Sequence, residues 1–183
     1  MMNHFSDEQL MVQLAQGSRQ AATVLYDRYQ TRVYGYFVRM TNDREAARDL
    51  TQNTFLRVIR YAATWKDDKT FMYWLFRIAR NILADHYRSL RHFSDLDGHP
   101  EIGARDNEES VRESEVRESY EMLLEAMNQL PPGYREIIEL NRFQGFSYRE
   151  IAAATDSNEN AVKVKTFRAI QKLKEIYEKI MVE

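Results

Sequence analysis

The sequence predicts an all-α protein of two small helical domains joined by an acidic flexible linker. Apolar residues recur at helical spacing along most of the 183 residues. Only 3 prolines and 6 glycines interrupt that pattern, and no strand pattern or internal repeat is found. The periodicity is lost from His92 to about Glu109, where acidic residues and turn-forming residues accumulate. We therefore expect domains at residues 1–93 and 114–183, with the linker at 94–113.

Charge is distributed unevenly along the chain. The net charge is +5 over residues 1–94, −6 over 95–120 and −1 over 121–183, which gives −2 for the whole chain. A basic part followed by an acidic stretch fits two folded modules with a charged connection. Because the overall pI is only about 6.1, any face that binds nucleic acid has to be local.

The first three helices are marked by residues that typically begin or end a helix. A capping box at residues 6–9 opens the first helix, and Gly17 ends it. Ser18 then caps the second. A further capping box at residues 42–45 begins the third, which runs to about Tyr61.

The third helix has an apolar face and a polar stripe. The predicted inner residues are Ala47, Leu50, Thr54, Phe55, Val58 and Ile59. The predicted outer stripe consists of Asp49, Asn53, Arg57 and Arg60, with Gln52 nearby. Such a stripe could dock on a partner helix, but the residues by themselves fit a solvated face better.

A fourth helix is predicted at residues 71–91, after a polar loop at 65–70. Its arginines, Arg77, Arg80, Arg88 and Arg91, fall within an arc of about 80° on the helix. Tyr73, Trp74 and Asn81 lie on or beside that arc, and the opposite core stripe consists of Leu75, Ile78, Ala79, Ile82, Leu83 and Leu90. Rings beside cations suit single-stranded DNA, whose bases stack while cations hold the backbone. A domain edge with solvated arginines explains the same residues equally well.

Four helices are predicted after the linker. The first runs from near Val111 to Leu130, and a break at 131–133 follows; the remaining three occupy about 134–143, 147–154 and 158–180. A capping box at 147–150 opens the third of these, and Asn158 caps the last. The last two helices are separated only by a tight turn, and this arrangement predicts a helix-turn-helix.

The last helix has two unlike faces at 100° per residue. Val162, Thr166, Ala169 and Leu173 fall on one side. The other side carries Asn160, Lys163, Phe167, Gln171 and Lys174, flanked by Val164 and Arg168. Cations suit phosphates, and amides and arginine suit base edges. With the capped helix and turn before it, this face favours DNA binding over an ordinary solvated face.

Several functional classes are excluded or disfavoured by what the sequence lacks. The absence of cysteine excludes disulfides and thiolate metal sites. The four histidines show no zinc spacing, and phosphate-binding glycine loops and nucleophile motifs are missing. No cofactor, metal site or enzymatic activity is therefore expected. No apolar run reaches the roughly 20 residues of a membrane span, and the N-terminus is not a signal peptide, so we expect a cytoplasmic protein.

The ordered set of motifs resembles the extracytoplasmic-function sigma factors of bacterial RNA polymerase. Residues 43–57 are similar to region 2.2 of that family, and residues 74–81 with Asp85 and Arg88 to regions 2.3 and 2.4. Region 4 is matched by residues 130–136, 146–152 and 161–163, followed by 168–169 and 172–173. This chain has Asn53, Asp156 and Val164 where the family commonly has an acid, glycine and serine.

The resemblance implies a role for each surface. The polymerase β′ coiled coil would be bound by Asp49, Gln52, Asn53, Phe55 and Arg57. The −10 element would be held by Trp65, Lys66, Lys69, Tyr73, Trp74, Arg77, Arg80, Asn81, Arg88 and Arg91. The −35 element would be read by Ser147, Tyr148, Asn158, Asn160, Lys163, Val164, Phe167, Arg168 and Gln171.

Further partners are also implied by the resemblance. Region 4 would also contact the β flap, the acidic linker would lie in the RNA exit path, and an anti-sigma factor is expected. One alternative is a helix-turn-helix regulator that acts without docking on polymerase, and it would bind a duplex site alone. A helical adaptor with no role in DNA binding is another.

Overall fold

The computed structural model describes residues 4–66, 70–94 and 111–182, apart from the side chains of 91–94 and 111–116. Within these ranges the chain is helical and contains no strand, which confirms the predicted all-α class. Contacts among the described residues divide the chain into two compact units. One contains residues 4–38, 43–66 and 70–94, and the other contains 39–42 and 111–182. The predicted linker lies almost wholly outside the described residues.

Four α-helices make up most of the first unit: α1 (Asp7–Ala15), α2 (Arg19–Thr41), α3 (Arg44–Tyr61) and α4 (Phe71–Ser94). A short 3-10 helix, Ala62–Thr64, follows α3 and was not predicted. In this unit α3 packs along α4, and α1 contacts both α4 and the 3-10 helix.

Local chemistry fixes the helix ends of this unit. The predicted capping box at Ser6 forms: its Oγ accepts from the backbone N–H of Gln9, whose side chain accepts from the Ser6 N–H. Gly17 has a φ of +92°, which glycine adopts without the steric cost that a Cβ would add. Ser18 accepts from the Ala21 N–H at 3.3 Å, as predicted.

The start of α3 corrects one prediction. Asn42 adopts a left-handed φ of +54°, and Asp43 caps the helix, since its Oδ1 accepts from the N–H groups of Glu45 and Ala46 at 2.9 and 3.0 Å. The predicted box starting at Asn42 is therefore wrong by one residue. Asparagine tolerates the left-handed region better than most residues, so the turn uses Asn42 and leaves the cap to Asp43.

Aromatic side chains fill the core of the first unit. Tyr36 and Phe76 meet edge to face with ring centroids 5.5 Å apart, and Phe71 meets Tyr29 in the same way at 5.3 Å. The Tyr29 hydroxyl donates to Asp7, which also receives a 2.7 Å bond from Arg28 and so ties α1 to α2. Burial, and then the hydrogen bond to Asp7, raise the pKa of Tyr29 well above its usual range.

The second unit contains α5 (Val111–Asn128), α6 (Pro132–Ile138), α7 (Tyr148–Ala154) and α8 (Glu159–Ile180). Helix α8 contacts all three of the others. The buried centre consists of Ala126, Met127, Leu130, Ile138, Ala169 and Ile176. No helix within the described ranges combines the length and apolar character that a membrane crossing needs.

The segment between α5 and α7 differs from its prediction. One helix was predicted at 134–143 after a break at 131–133, but α6 already begins at Pro132 and passes at Ile138 into a π-helical segment, Glu139–Phe143. Proline is accepted in the first turn of a helix because its missing N–H has no intrahelical partner there. Apolar periodicity does not distinguish a π-helical segment from the α-helix that it continues.

Candidate nucleic-acid interface

The helix-turn-helix predicted in the second unit is formed by α7, a tight turn and α8. Ser147 caps α7 in a complete capping box, with Glu150 accepting from the Ser147 N–H at 2.8 Å. In the turn, Asp156 has a φ of +48°, and the Ser157 N–H donates to the Ala152 carbonyl at 3.0 Å. Asn158 then caps α8 by accepting from the Ala161 N–H at 2.8 Å.

The inner face of α8 packs against the rest of the unit as predicted. Val162, Thr166 and Ala169 are buried, and Leu173 is half-buried. The Thr166 hydroxyl donates to the Val162 carbonyl at 2.8 Å, so its polar atom is satisfied within the helix. Ile151 and Ala152 of α7 are also buried, which fixes the angle at which α8 leaves the turn.

The opposite face of α8 is exposed along its length. The predicted reading residues on it, all exposed, are Asn158, Asn160, Lys163, Val164, Phe167, Arg168 and Gln171. Lys163 forms a 2.8 Å ion pair with Glu159 one turn earlier, and this hydrogen bond lowers the pKa of Glu159. The face is therefore a strip of cations and amides that also contains two apolar side chains.

Ser147 and Tyr148 lie at the start of α7. The Ser147 hydroxyl is engaged in the cap, since it accepts from the Glu150 N–H at 3.3 Å and donates to the Glu150 carboxylate at 2.7 Å. Tyr148 is half-buried. Of these two predicted contact residues, Ser147 could meet a phosphate only by sharing its hydroxyl with the cap.

The predicted single-strand surface of α4 is brought together only in part. Arg77, Asn81 and Arg88 are exposed, whereas Arg80 and Trp74 are half-buried. The Trp74 ring lies 6.3 Å from that of Phe71, centroid to centroid. Tyr73 was predicted on this arc, but it is 9% exposed, because that flank of the helix is covered.

Two further features distinguish this region. Arg88 pairs with Asp85 on its own helix, and Asp85 also accepts from Arg57 of α3 at 3.3 Å. Before α4, Lys66 is exposed and Trp65 is half-buried. Lys69 and the Arg91 side chain, both predicted contacts, lie outside the described residues.

The outer stripe of α3 is more apolar than predicted. Asp49, Gln52 and Asn53 are exposed as expected. Leu56 is 67% exposed within this stripe, and Ile59, which was predicted to be internal, is 51% exposed. The prediction for Ile59 is therefore wrong. In the sequence, the exposure of Leu56 and Ile59 is indicated only by their angles on the helical wheel, which are close to those of the polar stripe.

Phe55 belongs to the buried side of α3. Its ring is 6% exposed and meets Tyr26 of α2 edge to face, with centroids 4.9 Å apart. Beside it lies an apolar pocket of about 220 Å³ lined by Leu14, Ala22, Thr23, Leu25, Tyr26, Phe55, Val58 and Ile59. Phe55 can thus support a docking surface from beneath, while Ile59 connects the pocket to the exposed stripe.

Similarity to known proteins accounts for both units. Residues 25–93 match the family model for Sigma-70 region 2, and residues 120–173 match that for Sigma-70 region 4. The chain is 34% identical to the ECF RNA polymerase sigma factor BldN of Streptomyces coelicolor, over 92% of this chain and 66% of that protein. It is 30% identical to the RNA polymerase sigma factor CarQ of Myxococcus xanthus, over 94% of this chain and 98% of that protein.

Solved structures show the same fold. CnrH, solved in complex with the cytosolic domain of CnrY, matches with a TM-score of 0.72 at 24% identity over 94% of this chain and 97% of that one. The sigma factor RpoE of Bartonella quintana, solved with the anti-sigma factor NepR, matches with a TM-score of 0.71 at 22% identity over 84% and 94%. This chain therefore belongs to the extracytoplasmic-function sigma factors, the regulatory subunits that direct bacterial RNA polymerase to promoters for transcription initiation.

Proposed function

We propose that three surfaces of this chain divide the work of promoter-directed initiation. The exposed face of α8 reads the −35 element in duplex DNA, the Arg77 side of α4 with the segment before it captures the opened −10 strand, and the outer stripe of α3 docks on the polymerase β′ coiled coil. The observation that carries the proposal is the exposed α8 face behind a capped helix and a tight turn.

Reading by α8 is supported by its geometry and chemistry. The helix is anchored on one side by Val162, Thr166 and Ala169, while the opposite side is free to enter a major groove. Arg168 can bond guanine, and the amides of Asn160 and Gln171 can bond adenine. Lysines on the flanks suit phosphates, which fix register without reading sequence.

Strand capture by α4 is supported by the exposed cation of Arg77, which follows the half-buried Trp74 by three residues and is therefore its neighbour on the helix surface. The exposed cation of Arg88 lies further along the same side of the helix. An unpaired base stacks on an aromatic face while cations hold the backbone. Such capture would offset the few kcal/mol that unstacking costs. It would work only when polymerase holds both modules in register on one promoter.

Docking through α3 is supported by the mixed character of its stripe. Leu56 and Ile59 offer apolar area, and Asp49, two helical turns before Leu56 on the same side of α3, offers a charge that sets orientation. Protein interfaces commonly combine an apolar centre with polar groups at the rim. Region 4 would contact the β flap as a second attachment.

The remaining partners follow from the family and from the solved relatives. RpoE of Bartonella quintana was solved with the anti-sigma factor NepR, and we propose that an anti-sigma factor likewise controls this chain. The proposed action is non-enzymatic and cytoplasmic, and the acidic linker lies in the RNA exit path of the polymerase.

Two charge reversals test the division of labour. Asp49→Arg is expected to weaken binding to core polymerase at least about tenfold, because an interfacial charge is inverted. Arg80→Glu is expected to leave core binding unchanged and to reduce −10 opening about tenfold, because the strand backbone loses a cation and meets an anion. Core binding is measured by fluorescence anisotropy, and opening by permanganate reactivity of −10 thymines in the reconstituted holoenzyme.

Matched controls are available in the same unit. Asp27→Arg and Arg19→Glu make the same charge changes at exposed positions of α2 outside the three surfaces. Both controls should behave as the unmodified chain in both assays. If Asp49→Arg and Arg80→Glu also support normal run-off transcription with purified core, the assignment of these surfaces is wrong.

A further inference from the structure

An apolar residue lies among those of α8 that point away from the core of its unit. Val164 lies nine residues before Leu173, which places the two about 180° apart on the helix, and it lies about 160° from Val162 and Thr166. Those two residues are buried, whereas Val164 is 50% exposed. A valine therefore occupies the middle of the face that we propose enters the major groove.

A second apolar side chain extends this position. Phe167 follows Val164 by three residues, a spacing that makes side chains neighbours on a helix surface, and it is 66% exposed. Asn160, Gln171 and Arg168, all exposed, surround the pair on the same face. Within the described part of α8, these two residues form an apolar patch inside an otherwise polar strip.

The patch lies where a recognition helix approaches the bases. Val164 is the sixth residue of α8 and Phe167 the ninth, so both belong to the half of the helix whose residues contact base edges. At 1.5 Å per residue they are separated by about 4.5 Å along the axis. That separation is close to the rise of one base step, about 3.4 Å, so the pair can face adjacent base pairs.

The chemistry of the major groove limits what this pair can read. Valine and phenylalanine side chains neither donate nor accept hydrogen bonds, so they cannot distinguish the polar edges of guanine, cytosine or adenine. The C5 methyl of thymine is the apolar group that the major-groove edges present. Building on the proposed −35 role of α8, we propose that Val164 and Phe167 read thymine methyl groups in the −35 element.

This inference predicts a specific element of promoter preference. The −35 element of this sigma factor contains thymine, on either strand, at one or two adjacent positions that face the patch. The amides and the cation around the patch then read the flanking base pairs. A protein surface such as the β flap is the competing occupant, but lysine is depleted at protein interfaces, whereas the exposed Lys163 adjoins the patch.

The test removes the methyl group without changing any hydrogen bond. Holoenzyme reconstituted from the full chain is first used to select promoters from a pool with a randomised −35 region. Each thymine of a selected −35 element, on both strands, is then replaced singly by deoxyuridine. The dissociation constant of the complex between holoenzyme and promoter is measured for each replacement. One or two replacements should weaken binding about fourfold, the equivalent of about 0.8 kcal/mol for one buried methyl-sized group.

Variants connect the effect to the patch. With Val164→Ala, replacing the thymine that faces residue 164 by deoxyuridine should no longer weaken binding. The variant lacks the apolar contact with the methyl group, so the two DNAs should bind it about equally. Val164→Ile keeps an apolar β-branched side chain and should retain the effect. Phe167→Ala should act in the same way on the adjacent position.

The outcomes separate this inference from the proposed function. Selected −35 elements without thymine, or deoxyuridine replacements that are all silent while transcription proceeds, overturn the methyl reading and leave the sigma role intact. Val164→Ala could instead weaken binding to core polymerase and lower transcription equally from the thymine-containing and the deoxyuridine-containing promoter. In that case the patch belongs to a protein interface and the inference is wrong. If the holoenzyme selects no promoter at all, the proposed function itself fails.

Discussion

At the residue scale, the turn between α7 and α8 depends on Asp156. Its φ of +48° lies in the left-handed region, where most side chains meet the backbone. Aspartate and asparagine tolerate that region because their short polar side chains can bond locally. The family resemblance suggested glycine at this position, and aspartate gives the same turn.

We therefore expect Asp156→Val to lower the free energy of unfolding by about 1–2 kcal/mol, because a β-branched residue is strained at this φ. Asp156→Gly is the matched control and should be nearly neutral, since glycine adopts the conformation freely. Urea unfolding followed by circular dichroism measures both. Equal stability of the valine and glycine variants would contradict this account of the turn.

At the element scale, the capping box fixes where the helix-turn-helix begins. The Ser147 hydroxyl accepts from the Glu150 N–H, and the Glu150 carboxylate accepts from the Ser147 N–H at 2.8 Å. These bonds satisfy two N–H groups that a helix start leaves without partners. The position of α7, and through it the direction of α8, depends on this start.

Ser147→Ala should therefore cost about 1 kcal/mol of stability, the usual cost of removing a cap. The midpoint of urea unfolding should fall, while the slope of the transition stays constant. Ser157→Ala in the turn is the control, because Ser157 is exposed and contributes a backbone bond that the change leaves intact. If the unfolding midpoint fell equally in both variants, the Ser147 cap would not contribute specifically to stability.

At the scale of the whole molecule, the distribution of charge governs how the free chain meets DNA without regard to sequence. The chain has a formal net charge of −2 although it binds DNA, and residues 95–109 contain six acids. Fields of net charge act over about 10 Å at 0.1 M salt and govern non-specific association. The acidic stretch should therefore suppress unselective DNA binding by the free chain.

Replacing these six acids with Asn or Gln changes the net charge from −2 to +4. Binding of the free chain to a random duplex should then tighten at least about tenfold at about 50 mM salt, and the gain should shrink steeply towards about 200 mM. A variant with the same residues of 95–109 in scrambled order keeps the charge and should bind as the unmodified chain does. A gain that is insensitive to salt would argue against an electrostatic cause. Fluorescence anisotropy with a labelled duplex is a suitable measurement.

Much of the fold and of the α8 surface could be predicted from the sequence, because both depend on local rules. Capping residues such as Ser6 and Ser147 satisfy backbone N–H groups within their own turn, so the starts of these helices were predictable. Each side chain also has a fixed angle on its helix. For this reason the residues predicted on the outer face of α8 are exposed and those predicted inside are buried or half-buried.

What the tertiary structure decided is how much of each helix its neighbours cover. Ile59 and Leu90 fit apolar stripes by angle, yet they are 51% and 40% exposed, because the stripes are wider or longer than the covering elements. Tyr73 is buried for the opposite reason, although it lies on the same arc as the arginines of α4. Periodicity fixes the direction of a side chain within its own helix, whereas burial depends on residues distant in sequence that only the folded chain brings to that side.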